Sequence, residues 1–407
     1  MDAKVTVLPQ ELIDAVIDEN HTDKETLRTC SLVSRSWTYP SQRRIFSHIS
    51  FNRGPYHYCS LHGRRRRDIE RFNSFISIHP CLATLVKSIE ISPLLDAHLL
   101  GTMFQKLINL ESISLHLCGY SWDELSLSMR DTLITAFRSL RLTRFEIRDG
   151  LFLHYADFLA LLDTCQYLKH LSLSAISCED LVSCGNLEGL TRLPIGLKLK
   201  LHSLALSLCE PHSSLVQLLQ SSINISSLQQ LSVLTDGSGD LVKRTKVTRD
   251  ILRQLNGSAL EHLVLNACLG EPLSNLIDIS RLRSIHVKLW WICYQQHTKP
   301  VVWLRWLTSL FKELTKWHRL EKVTLEIFYT STFTSYGNDW AALDATLGQI
   351  GSLRRVDLGL DAYDNAKARW KHLKEHPSCA GDDVRSIFPM VAKRRILSVE
   401  CAANYPG

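Results

Sequence analysis

The residue types that most often carry out chemistry occur in this sequence, but their spacing matches no common catalytic pattern. None of the 407 residues forms a phosphate-binding G-x-x-x-x-G-K, a nucleophilic-serine G-x-S-x-G or a zinc-binding H-E-x-x-H. The segment GSGDLV, which starts at residue 237, lacks the third glycine of a dinucleotide-binding loop. We therefore expect a protein that is not an enzyme and that has no cofactor.

Three metal-donor side chains lie close together in the chain, at His57, Cys59 and His62. A structural zinc site needs four ligands in a fixed arrangement, and its cysteines usually come in closely spaced pairs. The sequence has twelve cysteines but no C-x-x-C pair, so we expect no metal site. No secretory signal is visible in the opening residues, and reduced thiols are then the simplest state. We expect a cytoplasmic or nuclear protein.

Composition narrows the possible partners. Apolar residues make up 45% of the chain and charged residues 22%, as in ordinary globular proteins. A formal net charge of +6, diluted by 41 acidic residues, does not indicate nucleic-acid binding. The apolar stretch LFLHYADFLALL has 12 residues and two polar ones within it, which is too short and too polar to cross a membrane.

The chain opens with an unusually apolar stretch, VLPQELIDAVIDENHTDKETLRTCSLVSRSWTYP at residues 7–40. Its periodicity predicts three short helices. Pro9 suits a first helical position, and Thr22 with Glu25 fits a capping box at the start of the second helix. A third short segment holds Trp37, and Pro40 is expected to bias Tyr39 away from helix.

The first helix has two apolar stripes of four-residue spacing, which together give it a wide apolar face. The residues are Leu8, Leu12 and Val16 in one stripe, and Ile13 and Ile17 in the other. About 35 residues cannot enclose so many large apolar side chains. The surplus must pack either on the rest of this chain or on another protein, and periodicity alone leaves both open.

The order LPQELIDAVI, LRTCSLVSRSW and RRIFSHI, from Val7 to Ile49, closely resembles the F-box motif. Proteins of that family bind the Skp-type adaptor of cullin–RING ubiquitin ligases through three helices. The resemblance implies that the matching positions form or support the adaptor interface: Leu8, Pro9, Leu12, Ile13, Ile17, Leu32, Val33 and Trp37.

A nucleic-acid-binding helix-turn-helix is an alternative for the same segment. Its arginines are Arg28, Arg35, Arg43 and Arg44. A recognition helix needs several polar side chains near its start that reach base edges. The segment TDKETLR instead begins with Asp23 and Glu25, which phosphates would repel, so the F-box interpretation is favoured.

From residue 85 onward one hexamer, apolar-x-x-apolar-x-apolar, keeps returning. Its copies start at residues 86, 110, 142, 168, 201, 228, 260, 282, 320 and 353. A weaker eleventh copy has Arg394 in place of the first apolar residue. Each copy predicts one strand followed by a helix, so that neighbouring units stack into a curved parallel sheet.

This pattern resembles irregular leucine-rich repeats. Such repeats favour Asn or Cys eight residues after the first Leu, where the side chain satisfies turn backbone groups. Cys118, Cys209 and Cys268 occupy that position and are expected to be structural thiols.

The predicted fold is therefore α/β: a three-helix F-box at residues 1–50, a linker with a short helix at 51–84, and a repeat solenoid at 85–407. Together the two resemblances imply a substrate receptor of a Skp–cullin–F-box ubiquitin ligase, of the type numerous in fungi. The alternative is a non-catalytic scaffold that recruits the adaptor without ubiquitination. The expected partners are a Skp-type adaptor and a protein substrate, with no membrane.

The side chains between the apolar strand positions are expected on the concave face, the usual binding surface of such repeats. His262 and Asn266 are among them. The longest step between copies, from 282 to 320, contains WWICYQQHTKP, which predicts a substrate clamp. The candidate substrate-binding residues are Trp290, Trp291, His286, Lys288, Lys322 and Arg355, whose aromatic rings and cations suit an acidic or phosphorylated peptide.

Two other clusters have structural interpretations. The side chains of Trp303, Trp306, Leu310 and Trp317 recur at helical spacing, which indicates core packing. Burial in the solenoid is also the rival interpretation for Trp290 and Trp291. The run of Arg64 to Arg67 favours a solvated loop over a nuclear-localisation or nucleic-acid patch, because acidic residues follow it.

Overall fold

The computed structural model describes residues 8–51, 62–92, 96–178, 199–208, 223–235, 241–257, 259–266, 269–289, 300–329, 337–362 and 386–401. The chain divides into two compact units, Met1–Ser183 and Cys184–Gly407. The first unit includes parts of the predicted N-terminal module, linker and repeat region. The boundaries expected at residues 50 and 84 stay a prediction.

The first unit begins with three helices and continues as strand–helix repeats. Its helices are α1 (Gln10–Glu19), α2 (Lys24–Ser31), α3 (Arg35–Ser47), α4 (His62–Ile78), α5 (Pro80–Ala83), α6 (Ala97–Lys106), α7 (Leu127–Ser139) and α8 (Tyr155–Asp163). Its strands are β1 (His48–Ser50), β2 (Ser88–Ile91), β3 (Ser112–His116), β4 (Arg144–Phe152) and β5 (His170–Cys178). They pair in parallel in chain order.

The second unit continues the same arrangement. Its strands are β6 (Ser203–Leu208), β7 (Gln230–Thr235), β8 (His262–Leu265), β9 (Ser284–Lys288), β10 (Lys322–Tyr329), β11 (Arg355–Ala362) and β12 (Leu397–Cys401). These strands also pair in parallel in chain order. Its α-helices are α9 (Leu241–Gln254), α10 (Pro300–Leu314), α11 (Gly337–Gln349) and α12 (Pro389–Lys393).

The predicted α/β repeat fold is confirmed, because each full copy of the hexamer places its apolar residues in the core. In β3, Ile113 and Leu115 are both 0% exposed, whereas Ser112, Ser114 and His116, which alternate with them, are half-buried. Helices cover the side of the strands that carries these apolar residues. For example, the ring of Phe137 on α7 packs on that of Phe145 on β4, with centroids 5.1 Å apart. The other strand face, called here the open face, carries the polar side chains.

Three local expectations are wrong. Asp23, not Thr22, caps α2, because its carboxylate accepts hydrogen bonds from the backbone N–H groups of Glu25 and Thr26. Helix α3 does not stop before Pro40 but runs through it to Ser47. The arginine run is not a loop: it lies in the 17-residue helix α4, which is longer than the short helix expected of a linker.

Candidate partner-binding surfaces

The three N-terminal helices share a small apolar core. Ile13 and Ile17 of α1 and Leu27 of α2 are 2%, 1% and 0% exposed. Trp37 and Ile45 of α3 pack against them and are partly buried. Of the two apolar stripes on α1, the isoleucine stripe therefore supplies the interior of the module.

Two polar contacts hold α1 beside α3. Gln10 Nε2 donates to the Ser36 carbonyl oxygen at 3.4 Å, and Arg44 Nε donates to Asp18 Oδ1 at 2.7 Å. Both contacts join residues 26 positions apart, so the two helices run in the same direction. The first contact also satisfies a carbonyl that Pro40, which has no N–H, leaves without its intrahelical donor.

The second stripe of α1 faces solvent. The exposed fractions of Leu8, Leu12 and Val16 are 51%, 54% and 45%. The turn after α2 adds Leu32 and Val33, which are 85% and 63% exposed. Leu32 and Val33 come just before α3, whose residue Ser36 accepts a hydrogen bond from Gln10 at the start of α1. We call these five residues the apolar face.

The structure divides the eight residues that the F-box resemblance implies. Leu8, Pro9, Leu12, Leu32 and Val33 lie on the surface, where a partner can reach them. Ile13 and Ile17 are interior and support the fold, and Trp37 is half-buried against them. Val16, which the resemblance did not include, completes the exposed stripe. Its four-residue spacing from Leu12 is the sequence signal that identifies it.

The four described substrate-site candidates lie together on the open face of β9, β10 and β11. His286 is the register partner of Thr324 on β10, and Lys322 is the partner of both Ser284 and Arg355. Lys322 and Arg355 are exposed, and His286 and Lys288 are half-buried. Trp290, Trp291 and the rest of the predicted clamp lie outside the described residues.

Each of these four basic side chains has an acidic neighbour. Lys322 Nζ lies 3.0 Å from Asp357 Oδ2, and Arg355 Nε donates to Asp357 Oδ1 at 2.6 Å. Glu326 lies between two basic side chains: His286 Nε2 is 2.8 Å from Oε1 and Lys288 Nζ is 3.4 Å from Oε2. The sequence prediction considered these positions as cations, and the structure shows a network of ion pairs.

The pKa of Glu326 depends on its partial burial and on its two basic neighbours. Desolvation raises the pKa of Glu326, but the hydrogen bond and charge of His286 and the charge of Lys288 outweigh it, so the pKa lies below its ordinary value. The carboxylate is therefore ionised at neutral pH. An anionic ligand at this site would have to exchange these contacts for its own.

The first unit has a similar pair on its open face. His116 Nε2 on β3 lies 2.8 Å from Glu90 Oε1 on β2. The hydrogen bond from His116 lowers the pKa of Glu90 to about 2, against partial burial, which raises it. Beside it Glu146 accepts hydrogen bonds from Ser114 Oγ at 2.9 Å and Arg148 Nε at 2.7 Å. Glu90 was missed as a site residue, although it alternates with apolar residues in its strand.

One polar residue expected on the concave face is structural instead. Asn266 is 4% exposed. Its Oδ1 accepts from the Thr235 backbone N at 2.9 Å, and its Nδ2 donates to the Thr235 carbonyl at 3.2 Å. It thus bridges the end of β7 to the residue after β8. This is the turn-satisfying role that leucine-rich repeats assign to Asn or Cys.

The cysteine assigned to that role in the first unit behaves as expected. Cys118 adopts a left-handed backbone with φ of 57°, and its thiol donates to the His116 carbonyl at 3.5 Å. Cys209 and Cys268 lie outside the described residues. Burial raises the pKa of Cys165 to about 11, which keeps that thiol protonated and unreactive at neutral pH.

The tryptophan cluster is only partly core. Trp303 is 3% exposed and its ring meets that of Trp340 at 5.6 Å, and Leu310 is 4% exposed. Trp306 is half-buried. Trp317 does not belong to the core: it is 45% exposed, because it lies in the short turn of 3-10 helix Thr315–Trp317 after α10 ends. The helical spacing does not continue into that turn.

The described residues contain no group of three or more His, Cys, Asp or Glu side chains placed to hold a metal ion. His57 and Cys59 lie outside these residues, and His62 begins α4. Among the helices that the structure describes, none has the length and apolar character needed to cross a membrane.

Comparison with known proteins gives structural likeness only. No family model and no curated protein matches this sequence. Similar solved structures include the leucine-rich repeat-containing protein LegL7 from Legionella pneumophila, at 15% identity and a TM-score of 0.41 over 77% of this chain and 90% of that chain. The Rad7 and Elc1 complex in yeast gives 12% identity and a TM-score of 0.37 over 88% of this chain and 94% of that chain.

A third similar structure is the tropomodulin C-terminal domain of Caenorhabditis elegans. It gives 12% identity and a TM-score of 0.24 over 46% of this chain and 93% of that chain. The repeat architecture of the present chain is established by its own strand register and burial.

Proposed function

We propose that this protein is a substrate-recognition subunit of a Skp–cullin–F-box ubiquitin ligase. In this proposal the N-terminal module binds a Skp-type adaptor, the open face of the repeats binds a protein substrate, and other subunits supply the chemistry. The chain itself is then not an enzyme, and it acts in the cytoplasm, the nucleus or both.

The observation that supports the proposal best is the apolar face on an otherwise folded module. Its five large apolar residues are each at least 45% exposed. Isolated exposed apolar residues are common, but a contiguous stripe on one helix is typical of an interaction site. Leu12 and Val16 lie four residues apart on α1, and Leu8 continues the same spacing just before the helix begins. Leu8, Leu12, Leu32 and Val33 are F-box interface positions by resemblance.

Charge on the same module argues against the helix-turn-helix alternative. The first turn of α2 carries Glu25, and its cap is Asp23, whose pKa is lowered by the side-chain hydrogen bond from Thr26. A DNA-recognition helix would present these carboxylates to phosphates. An apolar interface also predicts weak salt dependence, whereas binding to nucleic acid weakens steeply as salt rises.

Substrate recognition in this proposal uses the open face at β9–β11 together with the segment that contains Trp290 and Trp291. Lys288, Lys322 and Arg355 would contact an acidic or phosphorylated peptide by exchanging partners with Glu326 and Asp357.

The deciding experiment is reconstitution of the full chain with a Skp-type adaptor and a cullin–RING core. Co-migration of all subunits on gel filtration, with ubiquitin transfer to proteins captured by the repeats, supports the ligase role. Adaptor binding without ubiquitin transfer supports the scaffold alternative. Failure of the adaptor to bind contradicts both.

A further inference from the structure

A second surface of the N-terminal helices is unlike the apolar face. On α3, Arg35, Tyr39 and Arg43 recur every four residues and are all exposed, Tyr39 at 62%. Trp37 and Ser41 point the other way, toward the core of the module, and Ser41 is 0% exposed. The outer side of α3 is therefore a stripe of alternating cation and aromatic ring.

This stripe continues onto α4. Phe46, one turn after Arg43, stacks on Phe75 of α4, with ring centroids 5.9 Å apart. Phe75 in turn lines a surface groove of about 440 Å³. The groove is lined by Arg67, Glu70, Arg71, Ser74, Phe75 and Ile78. We call Arg35, Tyr39, Arg43, Arg71 and Ile78 the arginine face.

The charge of this face is largely uncompensated. Within the described residues no carboxylate forms an ion pair with Arg35, Arg43 or Arg71. The acidic residue of the groove, Glu70, is already held by Arg66, whose Nε lies 2.9 Å from Glu70 Oε1. A ligand of this surface should therefore bring negative charge.

The groove also offers an apolar contact, which favours an acidic protein segment over a nucleic acid. Ile78 is 73% exposed at its edge, and an aliphatic side chain suits an apolar side chain better than a phosphate. The ring of Phe75 already contacts two neighbours, Phe46 and His79, at centroid distances of 5.9 Å and 5.1 Å. The exposed ring of this surface is that of Tyr39, and single-stranded nucleic acids bind through such rings, so a nucleic acid is the rival occupant.

We propose that the arginine face binds an acidic segment of a partner protein that also carries a large apolar side chain. Carboxylates of the segment contact Arg35, Arg43 and Arg71, and its apolar residue fills the groove at Ile78. This interaction is separate from the apolar face and does not depend on adaptor binding.

The test uses the full chain and a short fluorescent peptide in which Asp and Glu alternate with Leu. A peptide with Ser in place of Leu, and a single-stranded oligonucleotide of equal charge, serve as comparison probes. Binding is measured by fluorescence anisotropy at low and physiological salt for the wild type, Arg43→Glu with Arg71→Glu, and Ile78→Ser. The matched control is Arg319→Glu with Arg354→Glu, which reverses two exposed arginines elsewhere.

We expect the wild type to bind the Leu-containing peptide more tightly than the Ser peptide or the oligonucleotide. The Arg43/Arg71 reversal should weaken that binding about tenfold or more, and Ile78→Ser should abolish the preference for Leu. Binding that the control reversal weakens equally, or absence of peptide binding, overturns the proposal. Preferential binding of the oligonucleotide overturns it in favour of a nucleic-acid surface. Circular dichroism confirms that each variant is folded.

Discussion

Gln10 donates its side-chain amide to the carbonyl oxygen of Ser36, the group that Pro40 leaves without a donor inside α3. This single contact links the start of the first helix to a defect in the third. It lies beside the core in which Trp37 and Ile45 of α3 pack against the isoleucines of α1, while Leu8, Leu12 and Val16 face outward.

This relationship predicts an energetic coupling between the two helices. Pro40→Ala restores the missing N–H and should raise the free energy of unfolding by about 1–3 kcal/mol. Gln10→Ala should lower it by about 0.5–1.5 kcal/mol in the wild type, and by less in the Pro40→Ala background. Denaturant unfolding of the four chains measures the coupling. Equal costs of Gln10→Ala in both backgrounds would contradict the assigned role of the contact.

Asn266 should be needed for stability, not for binding. Asn266→Ala leaves the buried N–H of Thr235 without its acceptor and should cost about 1–3 kcal/mol. The control is Asn109→Ala, whose amide donates to the Thr84 carbonyl at an exposed position and should cost less than about 1 kcal/mol. Thermal unfolding of both variants checks this. A smaller loss for Asn266→Ala than for the control would sink the assignment.

Arg394 should stabilise the fold more than the apolar residue that the repeat pattern favours at this position. Its guanidinium donates to the carbonyl oxygens of Gly348, Ile350 and Leu353 near the end of α11. Arg394→Leu matches the repeat yet should lower the unfolding free energy by about 1–3 kcal/mol, because these carbonyls lose their donor.

The exposed control for Arg394 is Arg354→Leu, which should change stability by less than about 0.5 kcal/mol. If Arg394→Leu leaves the unfolding midpoint unchanged or raises it, the helix-capping role is refuted.

The pairing of Glu90 with His116 predicts a pH dependence of stability. The pKa of Glu90 is about 2 in the folded chain, below the ordinary 4.5. The contribution of ionised Glu90 to the stability of the fold is therefore complete above about pH 4.5 and is lost as the pH falls toward 2. Solvent screening of this partly exposed pair limits the effect to about 1–2 kcal/mol.

Glu90→Gln should accordingly flatten the stability profile between pH 5 and 2, as measured by denaturant unfolding at a series of pH values. Glu19→Gln, at an exposed carboxylate, is the control and should leave the profile unchanged. A profile for Glu90→Gln that coincides with that of the wild type would show that the pair contributes nothing.

The strands were predictable because their signal is local. Ile113 and Leu115 alternate with polar residues, and that alternation alone states which face is buried. The three N-terminal helices were predictable for the same reason. The sequence could not decide which stripe of α1 is buried, because Leu12 and Ile13 are equally apolar. Only the packing of Trp37 and Ile45 places the isoleucine stripe in the core.

Other contacts were not predictable because they join residues that are far apart in the sequence. The roles of Asn266 and Arg394 depend on unpaired groups at Thr235 and Gly348, 31 and 46 residues away. The neutralisation of Lys322 depends on Asp357, which the register of β10 and β11 brings near. At Pro40, the Ser36 carbonyl that lacks an intrahelical donor accepts from Gln10 of another helix.

The most direct test of the central proposal is calorimetric titration of a Skp-type adaptor into the full chain and into Leu12→Asp. Leu12 is 54% exposed, so the variant should fold normally. Loss of a large apolar contact, with a carboxylate placed in the interface, should weaken binding about tenfold or more. Leu127→Asp, at a 67% exposed leucine of α7, is the matched control and should bind as the wild type does. Adaptor affinity that is equal in folded Leu12→Asp and the wild type would contradict the proposed role of the apolar face.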